Sequence, residues 1–252
     1  MAIGRSDAIC QNGVLPSRFH IMPTILSLDT STEACSVAML MQDGKIYEHF
    51  EVAAKSHTQR ILPMIDDLLS ECGMELASLD AIAFSAGPGS FTGIRIGMGV
   101  VQGLAFAGAL PVIPVCTLQA QALPAGKVNP GTPVLSALDA RMGEVYYGVY
   151  DYDLVNSRLR IVQAPSVCAP AALSVPCGCA AENVVGVGQG FTVDDMATYA
   201  SRFDASATPR ASAVAELAER AWARGEAEDV RSVEPKYIRD TVTWKKRERI
   251  RT

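Results

Sequence analysis

The sequence has few of the side chains that carry metal and nucleophilic chemistry. Its three histidines are His20, His49 and His57, and no two of them stand four residues apart. The helical His-x-x-x-His metal motif is therefore absent. The Gly-x-Ser-x-Gly sequence of serine hydrolases is also absent. These absences argue against a metalloenzyme and leave a peptidase without catalytic residues.

Paired cysteines and a secretory leader are missing as well. The chain has seven cysteines, an odd number, and no Cys-x-x-Cys pair. This usage indicates a reducing compartment, so we expect a cytoplasmic protein. Residues 1–21 contain no long apolar run and are predicted to be a disordered extension. Met22 directly precedes a strand pattern, and we expect it to be the true start of the native chain.

Aromatic residues make up only 6% of the chain and charged residues 19%, and the formal net charge is −5. This balance argues against a protein that binds nucleic acid through bulk charge. The charge is uneven, because residues 244–252 contain five cations and one acid. A short basic tail of this kind is either solvated or contacts phosphates or an acidic partner. The sequence leaves both interpretations open.

The first half of the chain shows a regular alternation of strand and helix patterns. An uncharged stretch, 96–126, is interrupted by glycines and prolines, which favours a buried helix and strand over a membrane span. The resulting order βββαβαβ is typical of the first half of an actin-like or ribonuclease-H-like α/β domain. The predicted elements are strands at Ile25–Asp29, Cys35–Met41, Lys45–Glu51, Ala81–Ser85 and Val112–Val115, and helices at Gln59–Cys72 and Thr92–Gly108.

The second half repeats part of this pattern. Val134–Asp139 resembles Ile25–Asp29, since both are strands that end on an aspartate at a turn, and Glu144–Tyr150 is predicted to return as a strand. A strand at Val184–Val187 and a helix at Ala211–Arg224 follow. The repetition predicts two lobes with mixed sheets. The predicted divisions are a first lobe at 22–125, a second lobe at 126–240 and a basic tail at 241–252.

Two turns are candidates for a vestigial nucleotide cleft. Hydroxyls and a carboxylate cluster after the first strand, and acids flank a cation after the strand that begins the second lobe. Such groups bind phosphate and metal in actin-like proteins, but they are also ordinary turn residues that bond the local backbone. The second set could bind an adenosine, a peptide or a partner, but it is better suited to an internal ion-pair network that locks the lobe junction. The residues concerned are Asp29, Thr30, Ser31 and Thr32 in the first turn, and Asp139, Arg141 and Glu144 in the second.

The glycine-rich segment Gly87–Gly93 lies between a strand and a helix, where backbone amides attract anions. It is not a P-loop, because no Lys-Ser/Thr pair follows the glycines, and it lacks the dinucleotide fingerprint. In the helix that follows, Gly99, Gly103 and Ala107 recur every four residues and form a smooth stripe. Such a stripe favours close packing of another helix, so this region is interpreted as a docking surface.

Several long motifs in register resemble the TsaB (YeaZ) family. The likeness extends over residues 22–246 and is densest over 25–147, while 1–21 and 164–181 depart from it. The motifs that carry it are Ile25–Ala38, Ser56–Met64, Gly87–Gly97, Leu138–Tyr146 and Glu234–Arg239.

The resemblance implies two actin-like lobes and a non-catalytic activator in the threonylcarbamoylation of adenosine 37 in tRNAs that read ANN codons. It implies a heterodimer with the paralogue TsaD, which holds the metal, and cooperation with the ATPase TsaE, so no cofactor is expected on this chain. A homodimer is expected when the partner is absent. The alternatives are an actin-like ATPase and, less favoured, a glycoprotease-like peptidase. The predicted interface residues, on the two first-lobe helices, are Leu62, Ile65, Leu69, Ile94, Met98, Gly99, Val101, Gln102, Gly103 and Ala107.

Overall fold

A computed structural model describes residues 22–52, 54–176 and 179–239. The predicted extension 1–21 and the basic tail 241–252 lie outside these residues. Two five-stranded sheets organise the described chain.

The first sheet has the strand order β3-β2-β1-β4-β5. Strands β1, β2 and β3 are antiparallel neighbours, whereas β4 and β5 continue the sheet in parallel with β1. Helices α1 and α2 pack on one face, where apolar residues of both helices and of the strands form one core. The elements are β1 (Ile25–Asp29), β2 (Ala34–Leu40), β3 (Ile46–Val52), α1 (His57–Cys72), β4 (Ala81–Gly87), α2 (Phe91–Gly108) and β5 (Val112–Cys116). All seven predicted elements of this half are confirmed to within about two residues, and α1 continues through Pro63.

The second sheet repeats the arrangement of the first, with the order β10-β9-β6-β7-β8. Strands β6, β7 and β8 are antiparallel neighbours, and β9 and β10 run parallel to β6. Each strand therefore has a counterpart in the first sheet, and the predicted duplication is confirmed. The strands are β6 (Val134–Arg141), β7 (Glu144–Asp153), β8 (Arg158–Cys168), β9 (Val185–Val187) and β10 (Arg202–Asp204). Short 3-10 helices lie at Leu76–Ser78, Pro170–Ala172, Ala181–Asn183, Gln189–Thr192 and Met196–Tyr199.

Helix α3 (Thr117–Val128) lies between the two sheets and was not predicted from the sequence. Its residues Ala120 and Leu123 belong to the core of the first sheet, and Leu118 and Ala122 to a core with the second. A helix that is apolar on several sides shows no amphipathic stripe, which explains why periodicity missed it. Strand β8 was also missed, because most of its side chains are partly or fully exposed and they alternate poorly.

Helix α4 (Ala211–Ala223) packs on the first sheet although it follows the second in the chain. Its buried alanines contact the face of the first sheet opposite α1 and α2. Ser27 Oγ donates to the Ala211 carbonyl at 2.8 Å, and the Ala211 amide donates to Ser36 Oγ at 2.9 Å. The predicted second lobe, 126–240, thus includes a helix of the first, and its start falls inside α3. The small alanine side chains of α4 let the helix pack closely on the first sheet, and its position late in the chain gave no sign of this contact.

The chain after α4 runs back along the first lobe. Glu228 pairs with Val112 as an isolated bridge, and Val233 is buried in the core beneath α2. The Lys236 amide donates to the Ala86 carbonyl at 2.8 Å. Arg239 then forms an ion pair with Glu144 of the second lobe. This segment, 228–239, connects both lobes and is called the C-terminal segment below.

Candidate functional site

The turn after β1 is closed and internally bonded. Asp29 is only 1% exposed, and its carboxylate accepts hydrogen bonds from the Ser31 amide at 3.0 Å and from the Ser31 hydroxyl at 3.0–3.1 Å. Thr30 Oγ1 donates to the Gly93 carbonyl at 2.8 Å. The Ala34 amide donates to Thr32 Oγ1 at 3.2 Å. These side chains satisfy local backbone groups, as the turn interpretation of the sequence predicts.

Glycines of the following loop and of α2 let this turn approach very closely. A Cβ added to Gly89 would lie 2.6 Å from the Ser31 carbonyl oxygen. One added to Gly97 would lie 2.5 Å from Thr30 Oγ1, and one added to Gly93 would overlap the Thr30 carbonyl. Glycine is therefore required at these positions for the backbones to meet.

The same contact engages backbone amides at the start of α2. The Ser90 amide donates to the Ser31 carbonyl at 2.7 Å, and the Gly93 amide donates to Ser90 Oγ at 3.2 Å. These amides at the start of α2 are thus bonded to the protein itself and not turned toward a ligand. The turn that holds Asp29, Thr30, Ser31 and Thr32 is therefore bonded to the start of α2.

Burial raises the pKa of Asp29 to about 6, and the hydroxyls of Ser85 and Ser31 and the Ser31 amide oppose that rise. A carboxylate in this position is costly, since it has lost its water. The group accordingly carries a free-energy cost at neutral pH that its hydrogen bonds only partly offset.

The second half of the predicted cleft is a tight turn at the surface. Arg141 and Met142 have φ of 64° and 60°, a left-handed backbone that is uncommon for these residues. Arg141 pairs with Asp139 at 3.0 Å, and Glu144 pairs with Arg239. No hydrogen bond or ion pair joins Asp29 to these four charged residues, all of which the structure describes. The two predicted turns therefore form separate networks, and the ion-pair interpretation of the second turn fits better.

The outward side of α2 differs from its inward side. Gly99 and Gly103 are exposed, and a Cβ added to either would meet nothing within 4 Å. Gln102 and Ala107 are exposed beside them. On the neighbouring helix, Leu62 is 51% exposed. The predicted smooth stripe is therefore present and open in the described part of the chain.

Three residues of the predicted interface do not belong to this surface. Ile65, Ile94 and Val101 are buried in the protein's own core, at 0–3% exposure. Their apolar side chains were predicted to contact a partner, but they are buried within the first lobe instead. Leu69 and Met98 are half-buried and lie between core and surface. The open part of the prediction is thus Leu62, Gly99, Gln102, Gly103 and Ala107.

Phe106 was missed by the sequence prediction although it is 77% exposed. It stands three residues after Gly103 on the same side of α2, a spacing that would have identified it. It also lines a groove of about 470 Å³ between the end of α2 and the C-terminal segment. We call the exposed set Leu62, Gly99, Gln102, Gly103, Phe106 and Ala107 the α2 outer face.

Two properties of the described residues bear on metal binding and on membrane insertion. Within residues 22–52, 54–176 and 179–239, no group of three or more His, Cys, Asp or Glu side chains is placed to hold a metal ion. Helix α2 has the length and apolar composition of a membrane span, judged on those criteria alone. Its Val101 and Ala105, however, pack in the core of the first sheet.

Two sheets of identical strand order, with helices packed against them, define a two-lobed actin-like, ribonuclease-H-like fold. A structure from Pseudomonas aeruginosa described as similar to peptidase YeaZ superposes with a TM-score of 0.81 at 45% identity, covering 86% of this chain and 100% of that one. YeaZ from Pseudomonas aeruginosa gives a TM-score of 0.79 at 44% identity, with the same coverage.

The sequence comparisons agree. The tRNA threonylcarbamoyladenosine biosynthesis protein TsaB of Haemophilus influenzae is 40% identical over 231 residues, covering 88% of this chain and 96% of that protein. TsaB of Escherichia coli is 41% identical over 226 residues, covering 88% and 97%. A family model described as TsaD, tRNA N6-adenosine threonylcarbamoyltransferase, matches residues 49–246. The chain belongs to the TsaB (YeaZ) family and has a role in tRNA threonylcarbamoyladenosine biosynthesis.

Proposed function

We propose that this chain is a non-catalytic activator that binds a TsaD-type paralogue through the α2 outer face. The observation that carries the proposal is the open glycine stripe of α2. Gly99 and Gly103 leave a flat strip of exposed backbone, and Leu62 and Phe106 place exposed apolar side chains beside it. Small residues let a partner helix approach closely, and the large ones bury apolar area.

The choice of a paralogue as the partner rests on relatedness. The match to the TsaD family model over residues 49–246 indicates that the two proteins share a fold. Paralogues with a common helix pair can associate through corresponding surfaces, as in a symmetric dimer. A homodimer through the same face is expected when the paralogue is absent.

The proposal assigns the chemistry to the partner. The turn after β1 is filled by the protein's own backbone, and its Asp29 is buried. In this proposal, TsaE and a metal-bound, nucleotide-dependent TsaD carry out the ATP-dependent steps and the transfer of the threonylcarbamoyl group. This chain takes part in tRNA binding through the complex. We place this assembly in the cytoplasm, with no membrane partner, since a protein partner accounts for the exposed side of α2.

The test is a titration of the purified chain with its TsaD paralogue. Gly103→Trp places a large side chain where a partner backbone is expected, and affinity should fall at least about tenfold by overpacking. The matched control is Val155→Trp, since Val155 is 92% exposed in the second lobe. It should bind as the wild type does.

Unchanged affinity for Gly103→Trp, with both variants folded, would contradict the docking surface. Calorimetry with Mg-ATP on the isolated chain addresses the rival ATPase function. We expect no heat of binding, and saturable binding that is lost in Asp29→Asn would favour the ATPase instead.

A further inference from the structure

A second exposed cluster lies at the other end of α2. Phe91 is 56% exposed and Tyr237 46% exposed, and their ring centroids are 5.7 Å apart. The Arg95 guanidinium stacks on Phe91 at 3.7 Å from the ring centroid. Arg95 Nε also donates to Tyr237 Oη at 3.1 Å. We call Phe91, Arg95 and Tyr237 the aromatic ledge.

The ledge is held in place before any ligand arrives. Phe91 and Arg95 are one turn apart on α2, and Tyr237 is fixed by the bond from the Lys236 amide to the Ala86 carbonyl. A Cβ added to Gly87 would lie 2.7 Å from the Lys236 carbonyl oxygen, so the C-terminal segment fits tightly there. A preorganised surface loses little conformational entropy on binding.

The cation of the ledge is Arg95. Across the residues that the structure describes, Arg95 forms no ion pair with a carboxylate. By contrast, Arg141 forms an ion pair with Asp139, and Arg239 forms one with Glu144. The sequence beyond Arg239, residues 240–252, adds five cations and two acids.

Flat aromatic rings beside an unpaired guanidinium are what unstacked bases of single-stranded RNA bind. We propose that the aromatic ledge contacts an unpaired loop of the tRNA, with a base stacked on Phe91 or Tyr237 and Arg95 near its phosphates. This deepens the proposed function, because it gives this chain a direct contact with the RNA in addition to docking its partner.

The experiment measures fluorescence polarisation of a labelled tRNA hairpin with an unpaired loop, titrated with the full-length chain. Phe91→Ala and Tyr237→Ala should each weaken binding about tenfold, as loss of one base stack does. Tyr237→Phe keeps the ring and should bind as the wild type does. Arg95→Gln should also weaken binding and reduce its dependence on salt.

Phe106→Ala is the matched control, since Phe106 is an exposed phenylalanine of the same helix about 20 Å farther along its axis. It should lower affinity for the TsaD paralogue and leave RNA binding unchanged, whereas Phe91→Ala should do the reverse. The ledge proposal is overturned if all ledge variants bind the hairpin as the wild type does, or if a fully paired duplex binds equally well. If Phe91→Ala weakens only the paralogue complex, the ledge belongs to the docking surface.

Discussion

The two sides of α2 use the same residue type for opposite purposes. On the inward side, Gly93 and Gly97 meet the Thr30 turn so closely that an added methyl group would overlap it. On the outward side, Gly99 and Gly103 face open space. The inward glycines close a site within the chain, and the outward glycines leave a surface open. The spacing of glycines in the sequence is similar in both cases, so only the neighbours distinguish them.

This contrast separates a closed region from an open one on a single helix. At the start of α2, the Ser90 amide donates to the Ser31 carbonyl at 2.7 Å. The helix itself remains exposed on its far side. The closed contact and the open surface therefore lie on different sides of one helix.

The largest effect is expected at Gly93. Gly93→Ala should destabilise the protein by about 3 kcal/mol, since the new methyl group overlaps the Thr30 carbonyl and neither backbone can move freely. Chemical denaturation followed by circular dichroism measures the free energy of unfolding. A loss below about 1 kcal/mol would mean that the turn relaxes easily and that the contact is not close-packed.

An intermediate effect is expected at Asp29, beneath the same turn. Its pKa rises from 3.8 to about 6 on folding, so the native state binds the proton more tightly than the unfolded state. The free energy of unfolding should therefore decrease as the pH rises from about 4 to 6, and level off above. As the pH rises from 4 to 7.5, the free energy of unfolding of Asp29→Asn should increase by roughly 2 kcal/mol relative to that of the wild type. Denaturation curves at both pH values test this, and parallel changes in the two proteins would refute it.

The smallest effect is expected at Gly103, the outward counterpart of Gly93. Gly103→Ala should stabilise the isolated chain by about 0.5–1 kcal/mol, because alanine has the higher helix propensity and its methyl group meets no neighbour. Thermal unfolding of Gly103→Ala and Gly93→Ala should show changes in stability of opposite sign for the same glycine-to-alanine substitution. Destabilisation at Gly103 would show that the outward face is covered in the isolated chain, for instance by a second copy.

Much of the fold was predictable because its elements are strongly patterned. Buried strands such as β1 and β4 are short apolar runs between turn residues, and the repeat of Ile25–Asp29 in Val134–Asp139 indicated the duplication. Helix α3 was not predictable from periodicity, because it packs against both sheets and lacks a polar stripe. The return of α4 to the first sheet was equally hidden, since no local pattern records which sheet an alanine-rich face will meet.

The candidate site was predictable only in part. The glycine stripe of α2 was found by its four-residue spacing, but Ile94 and Val101 were assigned to the wrong side of the helix. Phe106 was overlooked, and the aromatic ledge joins residues that are more than 140 positions apart in the chain. Contacts over such distances leave no trace in a single sequence.

The sequence by itself determined the residue types and the family. It showed that the His-x-x-x-His and P-loop motifs are absent, and it indicated the repeated lobes and the motifs shared with TsaB proteins. The tertiary structure decided which glycines are buried and which are open. The physical reason is that a glycine's role depends on what lies within about 4 Å of its missing side chain, and those neighbours come from distant parts of the chain.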